Sequence, residues 1–158
     1  MADIREPILA RIFTVLEGIT YPSTTMKVRN RGDVPEKEFP AIVFLDGVEG
    51  RTRPLAEGRG RVVSPCLVEL RPQIFYLAKR RDRPKEQIDL GPELSAVRAL
   101  IIKAIFTDEE LVRLVGGPRG NGEINYLGSD TDMQSGSTLE GTLRIDMAFV
   151  YPLIPSAL

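Results

Sequence analysis

The sequence predicts an α+β fold: an antiparallel or mixed sheet with an N-terminal helix and a central helix packed on one face. Three observations predict it. The elements read helix, several strands, helix, then strands, without the regular alternation that builds a parallel sheet. Near the end, Leu143, Ile145, Met147, Phe149 and Tyr151 point one way while Thr142, Arg144, Asp146 and Ala148 point the other, the pattern of a half-buried antiparallel strand. Two earlier segments repeat apolar residues at three- and four-residue steps, the period of a helix with one buried stripe. At 158 residues the chain is expected to form a single domain, residues 1–158.

The first helix is predicted from Ile4 to Glu17, with Ile4, Ile8, Ile12 and Val15 forming the stripe and Leu9, Phe13 and Leu16 widening it. Asp3 and Glu6 have capping-box spacing, Pro7 falls in the tolerant first turn, and Gly18 is placed to end the helix. So wide an apolar face must be buried, in the core or against another subunit. A weak strand, Thr25 to Arg29, precedes a polar loop through Glu38. "AIVFLDG" reads as a buried strand closed by Asp-Gly. Val48 to Gly60 reads as loop. From Val62 to Ala78 β-favouring residues dominate, but Pro65 and Pro72 interrupt them. Because proline cannot donate to a ladder, the segment is an edge strand, a bulged one or two strands.

"KRRDRPKE" is read as a charged connection. The second helix is predicted from Pro92 to Phe106, with Leu94, Val97, Ile101 and Ile105 in one row. Thr107 and Glu110 give another capping-box spacing, opening a short helix that Gly116-Gly117-Pro118 stops. "NGEINYLGS" is read as a turn and strand, and "DTDMQSGS" as a loop before the terminal strand.

Composition argues against several functional classes. Net charge is −1, from 21 basic and 22 acidic side chains, so no global field draws the chain to nucleic acid or an acidic membrane. No apolar run approaches the ~18–20 residues of a membrane span. "MADIREPILARIF" does not read as a signal peptide, and a cytoplasmic location is expected by default. Histidine is absent, which removes the usual general base and the commonest zinc ligand. Tryptophan is absent too, and aromatics make up only 6%, a thin supply for stacking on single-stranded nucleic acid. One cysteine, Cys66, leaves no internal disulfide and reads as a small buried thiol.

Each chemical motif meets a physical objection. Asp130 and Asp132 in "LGSDTDM" suggest a divalent-cation pair, but a calcium loop numbered from Asp130 needs glycine at position six and a carboxylate at twelve. Ser135 and Gly141 stand there instead. "GGPRGNG", with Arg119, follows a helix and has no lysine after it, unlike a phosphate-binding P-loop. Two basic clusters remain: Arg51, Arg53, Arg59 and Arg61, and Lys79 to Arg83. They read first as solvated loops, and otherwise as contacts to DNA phosphates or to an acidic partner surface. No catalytic residue, metal site or cofactor is expected.

The whole layout resembles a family. An N-terminal helix, "FPAIVFLDGVE", a long strand region, the helix "LSAVRALIIKAIF", a glycine-rich turn, "INYLGSDTDMQSGS" and a final strand ending "IDMAFVY" look like the tail terminator (tail completion, or minor tail) proteins of long-tailed bacteriophages. The resemblance implies an α+β subunit that assembles with copies of itself into a ring, typically a hexamer. Such a ring caps the tail tube, stops its polymerisation and meets the head connector. DNA would pass through the lumen without sequence recognition. Heterologous interfaces that close by rotation would then occupy strand edges and the first helix's apolar face, around Ile8 and Ile12. Arg51, Arg53, Arg59, Arg61, Arg119, Asp130 and Asp132 would contribute to contacts with protein partners, the arginine segment facing away from the lumen. The alternatives are another neck component, such as a head-completion or connector protein, and a small metal-dependent enzyme using Asp130 and Asp132.

Overall fold

A computed structural model describes residues 3–21, 25–54, 65–79, 81–82, 89–116, 120–134, 138–155 and 158. Its elements in chain order are α1 (Arg5–Glu17), β1 (Met26–Arg29), a 3-10 turn at Glu36–Glu38, β2 (Ala41–Pro54), β3 (Cys66–Leu77), β4 (Arg81–Asp82), α2 (Gly91–Phe106), α3 (Glu109–Gly116), β5 (Glu123–Gln134) and β6 (Thr138–Leu153). Five strands form one sheet in the order β1-β2-β3-β6-β5, and the two-residue β4 pairs with the start of β6, beyond the end of β3. β1 runs parallel to β2 and every other pairing is antiparallel, so the sheet is mixed. The predicted α+β architecture is the observed one.

One face of this sheet carries all the helices. Ile42 and Phe44 of β2, Val68, Leu70, Ile74 and Tyr76 of β3, and the odd-numbered residues Leu143 to Tyr151 of β6 form a single core cluster with the helical stripes. α1 contributes Ile8, Leu9, Ile12 and Leu16, α2 contributes Leu94, Val97, Ile101 and Ile105, and α3 contributes Leu111 and Val115. Phe13 stacks on Phe44 at 6.4 Å between ring centroids. Each such side chain, fully withdrawn from water, favours the fold by roughly 1.5–3 kcal/mol before conformational entropy is set against it.

Several local expectations are corrected. "AIVFLDG" does not close at Asp-Gly, because β2 runs on to Pro54 and its second half falls where a loop is expected. β3 is one unbroken strand in the middle of the sheet and not an edge. It tolerates Pro72 because β2 bulges there: Asp46 and Gly47 fall between the Leu45–Gln73 and Val48–Arg71 pairs, leaving two residues against one proline. Within the charged connection, Arg81–Asp82 is a short strand. α3 is capped by Asp108, whose Oδ2 accepts the Leu111 N–H at 2.8 Å, and not by Thr107, whose hydroxyl bonds back to the Lys103 carbonyl. α1 has no side-chain cap, and Asp3 instead accepts the Arg5 N–H at 3.0 Å.

The largest correction concerns "DTDMQSGS". Residues through Gln134 belong to β5, which pairs with β6 from Glu123↔Val150 to Gln134↔Glu140. This strand also bulges, at Leu127, between the Tyr126–Met147 and Gly128–Asp146 pairs. The two bulges lie at the same level of the sheet. Between them the face without helices forms a shallow hollow of about 390 Å³, lined by Gly47, Val48, Arg71, Leu127, Arg144 and Asp146 among others.

Candidate interface surfaces

Ile8 and Ile12 do not reach any surface. Both are fully buried among α2, α3 and the sheet, so the apolar face of α1 is consumed inside the protomer and is withdrawn as an interface between subunits. The stripe periodicity demanded burial, and the protomer's own core supplies it. What α1 presents outward is polar: Arg11 donates to both oxygens of Asp108, at 2.8 and 2.6 Å, tying α1 to the start of α3.

Arg51 is exposed near the far end of β2, opposite Val68, and Arg53 pairs through its backbone with Leu67. Arg59, Arg61 and Arg119 lie outside the described residues. Two residues before Arg51, Glu49 accepts a hydrogen bond from the hydroxyl of Tyr151, a wholly buried tyrosine on β6. Desolvation raises the Glu49 carboxyl above its ordinary range, partly opposed by Arg5.

Asp130 and Asp132 are exposed on β5, on the face without helices. Asp130 stands opposite Arg144 and Asp132 opposite Thr142, so their side chains share one row with Glu123 and Asn125. Arg144 is also 3.3 Å from Asp146 on its own strand. On the helix-bearing side of β5, Arg98 of α2 reaches over the strand. It donates to Ser129 Oγ and Tyr126 Oη, both at 2.8 Å, with its guanidinium 5.3 Å from the tyrosine ring centroid. Hydrogen bonds with Ser129 and then with Arg98 lower the Tyr126 hydroxyl pKa. Tyr126, Leu127 and Met133 nevertheless stay between 39% and 48% exposed, an unusual concentration of apolar area on one strand. β5 pairs only with β6, and among the described residues no other backbone hydrogen bond reaches it.

Sequence reasoning missed the polar ties that hold these surfaces. Arg29 of β1 bonds Asp46 in the β2 bulge and Glu6 of α1 together. The alternation Met26-Lys27-Val28-Arg29 was its only local signal, and nothing local indicated which carboxylates it would meet. Among the described residues, no group of three or more Cys, Asp or Glu side chains is arranged to hold a metal ion, and Asp130 and Asp132 have Thr142 and Arg144 as neighbours across the strand. Cys66 is buried at the start of β3. No helix among the described residues is long and apolar enough to cross a membrane. No protein-family model matches the chain, and no curated protein matches it.

Proposed function

We propose that this chain is a structural subunit of a bacteriophage virion, a tail terminator that forms a ring with copies of itself. The ring caps the tail tube, halts its polymerisation and offers its other side to the head connector. The reading is carried by one observation: the elements whose order resembles the tail terminators fold into one α+β unit whose helices all lie on one face. A twelve-residue strand, β5, is left at the sheet's edge. A subunit of that shape has its apolar stripes satisfied internally and its edges and uncovered face available for contacts with copies of itself and with other proteins. Near-neutral net charge suits a lumen through which DNA slides without being gripped. On this reading the protein resides in the neck of the virion and is assembled in the host cytoplasm.

The test is size-exclusion chromatography with light scattering, followed by negative-stain imaging with purified tail tubes. Rings seated on tube ends are expected. A protein that stays monomeric and never occupies tube ends overturns the reading.

A further inference from the structure

We propose that the outer edge of β5 is a strand-addition site, taking an extended segment of a different protein in which basic and apolar residues alternate. The backbone carries the first part of the argument. β5 has twelve residues, one hydrogen-bonded neighbour and, among the described residues, no other backbone partner. From Gly128 to Gln134 its register with β6 is regular, which presents an added strand with about seven residues of unpaired edge, roughly 23 Å.

The side chains specify the occupant. On the face without helices the row is Glu123, Asp130 and Asp132, with Asp146 in the next row and Arg144 as the cation between them. On the other face stand Ser129, Thr131 and Met133, with Tyr126 before the bulge, and of these Met133 and Tyr126 expose substantial apolar area. Cross-strand neighbours on one face pair best when charges oppose, and apolar residues pair best with apolar ones. The complementary strand is therefore basic on one side and, on the other, carries apolar residues where it meets Met133 and Tyr126.

A second copy of this chain fits poorly. Antiparallel pairing of β5 with itself sets Asp130 and Asp132 against the same aspartates. Pairing with β1, in a sheet whose helices stay on one side, places Lys27 and Arg29 on the helix-bearing face with Ile42 and Phe44, away from the acids. The acids thus guard the edge against its own kind. The assignment goes beyond the ring reading and does not depend on it, since it needs no tail tube and no ring.

The probe is the synthetic peptide acetyl-Lys-Val-Lys-Val-Lys-Val-Lys-amide, titrated into dilute isotope-labelled protein. Expected are saturable binding, slowed hydrogen exchange at alternate amides between Glu123 and Gln134, and cross-strand proton contacts from peptide to β5. The Asp130→Asn/Asp132→Asn variant should bind about fivefold more weakly and with a flatter salt dependence. A peptide with Glu in place of Lys should bind at least about tenfold more weakly. Unchanged β5 amides, equal binding of the Glu peptide, or protection of the β5 edge by self-association without peptide each overturn the proposal.

Discussion

Arg29 holds Asp46 in a two-pronged grip, Nε to Oδ1 at 2.8 Å and Nη2 to Oδ2 at 3.0 Å, and so fastens β1 to the bulge of β2. The same guanidinium reaches both oxygens of Glu6 on α1, at 2.7 and 2.9 Å. Asp46 and Arg29 are about four-fifths withdrawn from solvent, whereas Glu6 is 63% exposed, so the Asp46 arm dominates. Arg29→Gln should lower stability by about 1–3 kcal/mol at neutral pH, and Glu6→Gln by no more than about 0.5. Hydrogen bonds from Arg29 lower both carboxyl pKa values, helped at Asp46 by Asn30. Groups lowered on folding stabilise above their unfolded pKa values and lose that contribution as pH falls through the folded ones. The difference between wild type and Arg29→Gln in urea midpoint should therefore be full at pH 7 and close toward about pH 3.

Gly47 has φ +73°, and a Cβ there would drive into the Arg71 carbonyl across the strand pair. Gly47→Ala should cost more than about 2 kcal/mol, through backbone strain and loss of the bulge. Gly50, three residues along the same strand, has open space where a Cβ would go. Gly50→Ala should be neutral or stabilising by up to about 1 kcal/mol. Thermal melts of the two variants, read side by side, separate local strain from any general intolerance of β2.

Ile12→Ala should destabilise the isolated subunit by about 2–5 kcal/mol, because the cavity opens in the protomer's own core. The loss should be the same at low and high protein concentration. A concentration-dependent loss would instead place Ile12 at a contact between copies.

Tyr151→Phe removes a hydroxyl that is buried and bonded to Glu49, and should cost about 1 kcal/mol. Glu49 behaves in the opposite sense to Asp46. Its folded pKa is raised, chiefly by desolvation, so its contribution is fullest below its unfolded value and is lost as pH rises through the folded one. Glu49→Gln should therefore gain on wild type as pH climbs from about 4 to 7, which paired denaturation curves at both pH values would register.

The fold was legible where one periodicity dominated. The stripes of α1 and α2 and the alternation of β6 located the core face residue by residue, since burial on one side is what those periods encode. β5 was hidden for two physical reasons. Its second half has no apolar alternation because both faces are wet, and the bulge at Leu127 breaks the phase that would have joined "INY" to "SDTDM". Likewise Pro72 argued against a central strand, and only the partner strand's bulge makes it admissible. The surfaces were less legible still. Asp130 and Asp132 stood out by residue type, but their shared row with Glu123 follows from register, which no local pattern gives. Nor could the sequence choose between the two homes it allowed for Ile8 and Ile12.

The bulge at Asp46-Gly47 acts on β2 much as an inserted letter acts on a reading frame. Before it, even-numbered residues (Ile42, Phe44) look toward the helices; after it, odd-numbered ones (Glu49, Arg51) do. Straightening the bulge while keeping every residue would put Val48 and Gly50 where Glu49 and Arg51 now point, and would deprive Tyr151 of its acceptor. The bulge is thus as much a part of what this strand specifies as any side chain in it.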